Sequence, residues 1–560
     1  MPVRHCAAPP GLAMLSREFI VAAGRFAPGH LGELTQVIPF ELVDAVLEET
    51  GCVQRRLRDL PSRVGVYFLL AMCLFPEVGY RLVWNKLTAV LVGAGLEVAE
   101  PTAKALRDLR RRVGPAPVRR VFEVLAGPLA RPATVGVRFG CFRTVSFDGC
   151  SSIRLADTER NVEWFGPGGR GGCPMLELMT LVETGTRALI GAVFGPTDIG
   201  ETAYAGRLLH HLRPDMLLLW DKGFDANAFL AQVAGTGAQF LGRIRANRRT
   251  PVLARLTDGS YLSVIGTVPV RVIEAQVAVT LNDGTAFTGS YRLATTLTCA
   301  NRYPATVLVT LYHQRWEHES AYYALRHTLG QGRPLRSGDP VGVEQEMWAQ
   351  LTLYQALRTV MVQAAESRPG TDPDRCGFTI ALQAARDLTV QAAGITTLPN
   401  AGTIGVIGRR VLAGLLPPRR PRVSTRKVRS PVSRYAERQD DGRPDSSRTV
   451  TRLDVAILEP ADQQPRCPQP PETTGTPSTA SVVGTASSTC STKNPTGRGG
   501  PATSRPASAT SPWRPCIDSS TVGPPTASST RSGPASTPPH SGHQTPGHQR
   551  KYVNYPALGE

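Results

Sequence analysis

The 560-residue sequence predicts a mixed α/β protein, in which a helical domain precedes an α/β core that a β-rich insertion interrupts. Three observations carry this. Apolar residues recur at helical spacing from about Leu31 to Val124, strands and helices alternate between Thr144 and Ile244, and period-2 segments take over between Arg249 and Thr310. The expected bounds are 28–125 for the helical, DNA-docking domain and 135–415 for the core, with the insertion at about 249–310. An extended basic arm at 416–460 and a disordered tail at 461–560 follow.

Length and composition set the frame. At 560 residues and 41% hydrophobic, the chain can build two or three domains with real cores. A net charge of +18 points to a polyanionic partner. Lysine occurs only at 86, 104, 222, 427, 493 and 551, so arginine carries most of that charge. Arginine suits bidentate phosphate contacts, although a GC-rich gene gives the same bias. The 11 cysteines form no C-x-x-C pair and no zinc-like spacing with histidine, as expected of reduced thiols in a cytoplasmic protein without a structural metal. Val64–Phe75 is the strongest apolar run, yet too short to cross a bilayer, and it reads as a buried helix with no membrane role.

Taken in order, the helical region runs through Glu41–Glu49, the apolar run, Val83–Val92 and a basic stretch from Lys104 to Arg120. Strands follow to Asp148, at Met175–Val182 and at Leu189–Phe194. Then come a helix around Thr202–Leu212, a strand at Met216–Trp220, a helix at Ala226–Val233 and a strand at Phe240–Ile244. Three strands and then alternating helices and strands is the order of a ribonuclease H-like domain, in which the first and fourth strands are neighbours. In the insertion, Val268–Val277 and Ala286–Leu293 alternate with period 2 around an Asn282-Asp-Gly hairpin turn. Glu344–Ala365 reads as a long amphipathic helix. Beyond Pro460 the chain is largely Ser, Thr, Pro, Gly and Ala, too polar and small to bury a core.

The chemistry concentrates in Tyr312-His-Gln-Arg-Trp-Glu-His-Glu-Ser-Ala-Tyr-Tyr-Ala-Leu-Arg326, where intervals of three, four and seven put Tyr312, Arg315, Glu319 and Arg326 on one helical face. On its own, a Glu319–Arg315 pair on a solvated helix explains the row equally well. Two further acids at strand ends, Asp148 before Gly149 and Asp221 in Trp220-Asp-Lys-Gly-Phe, change the reading. Separately, each is a turn-forming aspartate or a partner of Lys222. Jointly, three carboxylates from two neighbouring strands and a helix can hold two Mg²⁺ or Mn²⁺ ions, roughly 4 Å apart, for displacement at phosphorus. Arg315 and Arg326 would clamp phosphate and Tyr312 would hydrogen-bond to it. Glu317, Asp225 and Glu183 are competing acids, and Glu317 ranks below Glu319 because it falls off the shared face.

These residues resemble the Y-x2-R-x3-E-x6-K signature of bacterial DDE transposases of the insertion element four family, at Tyr312, Arg315, Glu319 and position 326. Arg326 stands where the family usually has lysine. The likeness extends to Val145–Gly149, Asp221–Phe224 and His30–Pro39, and covers roughly Pro28 to Pro460. It implies cutting at terminal inverted repeats of double-stranded DNA, joining to target DNA, and a homodimer that brings two ends together. Some relatives hold a flipped base with a tryptophan in the insertion, but this sequence has none between Trp220 and Trp316. Tyr261, Phe287, Tyr291 and Tyr303 are assigned no such role, core packing being the commoner job. Two rival readings share the same residues: a nuclease of this fold that cuts without strand transfer, and an inactive, transposase-derived DNA-binding protein.

Overall fold

The protein is seen as a computed structural model that describes residues 29–54, 59–168, 172–281, 284, 286–395, 404–418 and 450–459, with short backbone segments at 20–22 and 25–27. These fall in one compact unit, Met1–Arg466. The expected tail at 461–560 and residues 419–449 of the expected arm lie outside the described residues.

Five helices come first: α1 (Phe40–Glu49), α2 (Ser62–Leu74), α3 (Tyr80–Gly93), α4 (Ala103–Val113) and α5 (Ala116–Leu125). The apolar run is α2, buried from Val64 to Leu74, because a helix that is hydrophobic all round has to be enclosed. At α4 the Thr102 hydroxyl accepts the Ala105 N–H at 3.1 Å, and Gly114, at φ 68°, ends the helix. Arg110 of α4 is buried, donating to Gln345 at 3.1 Å and Ser337 at 2.9 Å. The basic stretch is therefore not all surface.

The core strands are β1 (Phe142–Arg154), β2 (Met175–Glu183), β3 (Ala188–Pro196), β4 (Met216–Trp220) and β5 (Gln239–Arg243). Helices α6 (Glu159–Phe165), α7 (Glu201–Gly206) and α8 (Asn227–Gly235) lie between them in sequence. The insertion supplies β6 (Tyr261–Ile265), β7 (Val268–Leu281) and β8 (Ala286–Thr295). Spatially the order is β3-β2-β1-β4-β5-β8-β7-β6. Strands β3, β2 and β1 pair antiparallel, β1, β4 and β5 pair parallel, and β8 joins β5 antiparallel. The insertion thus extends the core sheet along its open edge. β9 (Val450–Ile457) pairs with β7, so the end of the expected extended arm is a sheet strand and not a free segment.

Two core boundaries differ from the sequence reading. β1 does not stop at Asp148 but continues antiparallel to β2 as far as Arg154, while its parallel partner β4 leaves it after Ser146. The helix expected over 202–212 is the single α-turn pair of α7 followed by a 3₁₀ turn at Leu209–His211.

Downstream, α9 (Ala305–Tyr312) and α10 (Trp316–Tyr323) precede α11 (Pro340–Glu366), α12 (Phe378–Val390) and α13 (Val406–Ala413). α11 is not amphipathic: it is enclosed on every side, with Gln350, Gln355 and Arg358 buried among Leu351, Leu353, Tyr354 and Leu357. Its core is shared with α2, α12 and one face of β2, so one continuous apolar cluster joins the N-terminal helices to the sheet. Among the described residues no helix is long and apolar enough to cross a membrane.

His30 fastens the first segment to α3. Its Nδ1 accepts the Gly32 N–H at 3.1 Å, which leaves Nε2 to donate to the Leu87 carbonyl at 3.3 Å. Burial lowers its pKa from 6.5 to about 4. Because the folded value lies below the unfolded one, the unfolded chain takes the proton more readily. Stability contributed by His30 is complete above pH 6.5 and falls toward pH 4. At pH 5 the loss reaches about 2 kcal/mol. Urea unfolding at pH 7 and pH 5 will show that loss in the native protein and a smaller one in His30→Gln. An equal pH dependence in both proteins would rule His30 out as its source.

Candidate active site

The register of β1 against β4 sets the site. Ser146 lies opposite Leu219, so Asp148 and Asp221 stand two residues further along neighbouring parallel strands. In β1, Val145 and Phe147 enter the core beneath α7 and α8, while Thr144, Ser146 and Asp148 alternate to the other face. The four residues Met216–Leu219 are apolar on both faces because helices cover both sides of β4. Asp221 caps the 3₁₀ turn Lys222–Phe224, its Oδ1 accepting the Gly223 N–H at 2.7 Å, and Lys222 is exposed.

The segment carrying Glu319 is not one regular helix. α9 passes through a 3₁₀ turn at His313–Arg315 into α10, which loosens into a π-helical stretch at Ala324–Leu329. The 3₁₀ and π-helical turns depart from regular helical spacing, yet Tyr312, Arg315 and Glu319 remain neighbours. Hydrogen bonds to the sheet position the segment. Tyr312 donates to the Trp220 carbonyl at 3.2 Å, and Tyr322 donates to the Asp148 carbonyl at 2.6 Å. Between them, His318 bridges Ser146 at 2.8 Å and Thr180 at 2.7 Å. Burial drives the His318 pKa down to about 3, leaving a neutral ring between two hydroxyls.

Asp148, Asp221 and Glu319 are thereby brought into electrostatic contact. Arg315 Nη1 lies 3.2 Å from Asp148 Oδ2, and its guanidinium stacks 5.1 Å from the Trp316 ring. Burial pushes the Asp148 pKa up to about 8; Arg315 opposes this, while the charges of Glu319, Asp221 and Glu201 add to it. For Arg315, burial lowers the pKa, but Tyr312, Asp148, Asp221 and Glu319 together hold it above its ordinary value. Tyr312 is buried, with its hydroxyl donating to the Trp220 carbonyl. Arg326 is half-buried in the π-helical stretch, where its charge acts on the Cys150 thiol.

Two acids escaped the sequence reading. Glu201 begins α7 and Glu177 lies buried on β2, and a side-chain carbon placed on Gly149 would lie 2.6 Å from Glu201 Oε1 and 2.9 Å from Glu177 Oε1. The signal for Glu177 was a lone charge inside the apolar run Met175-Leu-Glu-Leu-Met.

The competing acids have structural partners. Glu317 pairs with Arg187 at 2.6 Å, and Asp225 with Arg248 at 2.5 Å. Glu183 pairs with Arg143 and accepts the Leu129 and Ala130 N–H groups at 3.1 Å each. Of the aromatics weighed for stacking, Tyr261 is buried and bonded to Thr250, and Tyr303 packs on Phe139 and Phe142. Tyr291 packs on Tyr312, and the side chain of Phe287 lies outside the described residues.

The donor set suits a hard cation, because carboxylate oxygens favour Mg²⁺ or Mn²⁺. The side-chain positions are not those of a closed ligand cage: among the described residues no three Asp, Glu, His or Cys form a metal-holding group. Asp148 spends one oxygen on Arg315 and the other on the Gly149 N–H. The chemistry of the donor set fits such ions, with Asp148 paired to Arg315 in this arrangement.

Glu317 and Glu319 are told apart by stability. Arg187 also pairs with Asp374, and Arg187→Met leaves two buried carboxylates without that cation, a change costing about 3–5 kcal/mol. Glu319→Gln will stay within about 1 kcal/mol of the native protein in urea unfolding. Comparable losses in the two variants would count against separate roles.

Comparison with known proteins identifies the family. Residues 28–123 match the insertion element 4 transposase N-terminal family, and residues 146–355 match the transposase DDE domain. The chain is 29% identical over 350 residues to the transposase InsG for insertion sequence element IS4 of Escherichia coli (strain K12), covering 60% of this chain and 78% of that protein. Among solved structures, a piggyBac transposase synaptic complex with hairpin DNA matches at 11% identity and a TM-score of 0.33, over 69% of this chain and 86% of the other. That score is too low to argue from. The two family matches and the relative lead to one assignment: the chain belongs to the insertion element 4 family of DDE transposases, enzymes of DNA transposition.

Proposed function

We propose that this transposase binds the terminal inverted repeats of its element and catalyses metal-dependent strand cleavage and strand transfer at Asp148, Asp221 and Glu319. The observation that carries the reading is the joint pull of Glu319 and Asp221 on Asp148, three carboxylates from β1, β4 and α10 held near one another at a cost in repulsion. Such crowding is tolerated where positive charge is to be bound. The core is ribonuclease H-like on this reading, supported by a central strand β1 with antiparallel neighbours on one side and parallel ones on the other.

Asp148, Asp221 and Glu319 would hold two Mg²⁺ or Mn²⁺ ions, which when bound activate the attacking water or 3′-hydroxyl and steady the leaving oxygen. Arg315 balances the charge of Asp148, and its guanidinium would also suit a phosphate of the DNA. Arg326 would meet the DNA backbone further along the same segment, its charge matching the lysine of the family signature. Tyr312 acts through position: by holding the Trp220 carbonyl it fixes the backbone immediately before Asp221. Two ends of the element are brought together by a homodimer on duplex DNA.

Alanine at Asp148, Asp221 or Glu319 will lower Mg²⁺-dependent cleavage of the element's ends by about 1000-fold or more, and end binding in a gel-shift titration will change little. Full cleavage by Asp221→Ala would remove that residue from the mechanism. A joining assay with pre-cut ends separates a transposase from a nuclease that only cuts.

A further inference from the structure

Beyond the three signature acids, the line of carboxylates continues through the sheet. Glu201 Oε1 and Glu177 Oε1 come within 2.6 and 2.9 Å of the place a Gly149 side-chain carbon would occupy. The other oxygen, Glu201 Oε2, lies 3.4 Å from the corresponding place at Gly223, with Asp221 Oδ1 at 2.9 Å. Glycine directly after Asp148 and two residues after Asp221 is thus what admits the Glu201 carboxylate between the strand ends. Glu177 is 4% exposed, and its Oε1 has no hydrogen-bond partner. A buried carboxylate oxygen left without a donor costs several kcal/mol unless a proton or a cation supplies positive charge.

We propose that Glu201 and Glu177 form a further divalent-cation position that adjoins Asp221 across Gly149 and Gly223. The proposal rests on the metal-dependent reading of the neighbouring acids and adds a site on the far face of β1. A Mg²⁺- or Mn²⁺-sized ion suits two glutamate oxygens completed by water.

The full-length protein, free of DNA, is titrated with Mn²⁺, and the free ion is followed by electron paramagnetic resonance. Native protein, Glu201→Gln, Glu177→Gln and Asp148→Asn are compared after far-ultraviolet circular dichroism has shown each to be folded. Both glutamine variants are expected to lose one Mn²⁺ equivalent, or to bind it at least tenfold more weakly, and Asp148→Asn to retain that equivalent while losing another. Unchanged Mn²⁺ stoichiometry and affinity in both Glu201→Gln and Glu177→Gln would overturn the proposal and leave the signature acids standing. If only the Asp148→Asn protein loses Mn²⁺, the extra position is likewise refuted. Should no variant alter Mn²⁺ binding, the reading of the signature acids fails with it.

Discussion

The parallel pairing of β1 with β4 is the constraint on which the rest depends. Its register sets two aspartates side by side on adjacent strands, and like charges so placed repel unless something compensates. Arg315 supplies part of the compensation, buried against Asp148 and stacked on Trp316. Tyr322 ties the α10 backbone to the very residue whose carboxylate is under strain, through the Asp148 carbonyl. Neutral His318, held between Ser146 and Thr180, adds no charge. The repulsion arises on the strands, and its containment comes from the segment around α10.

Much of the core was legible because its periods are simple. Met216–Trp220 is apolar throughout, as a strand covered on both faces has to be, and its bounds agree with the sequence reading. Alternation through Thr144-Val-Ser-Phe-Asp148 gave the strand and the face of its acid. The strand's continuation was hidden: Gly149 and the polar Ser151-Ser152 look like a turn, yet β2 still pairs there around a bulge between Cys150 and Ile153. No periodic pattern announces a partner strand that arrives from one side only.

The segment around Glu319 is less regular than a single helix. Pattern arguments assume a constant turn, and here 3₁₀ and π segments flank α10, with Tyr312 before it and Tyr322 within it bonded to the sheet. Tyr312 was legible as a member of the motif but not as a donor to Trp220, a contact that exists only once the sheet has formed. Glu201 was invisible for the same reason. Its neighbours in sequence are ordinary, and its surroundings come from the vacant spaces beside two glycines on other elements.

The enclosure of α11 carries a consequence for how this enzyme tolerates change. Its side chains knit the first helices to the sheet in one apolar mass, and Arg110 reaches across from α4 to Gln345. Trimming away α1–α5 would strip apolar cover from α11 and, through it, from the sheet. A lesion far from the acids can thus silence the enzyme by melting it, and only a direct measure of foldedness separates such damage from lost chemistry.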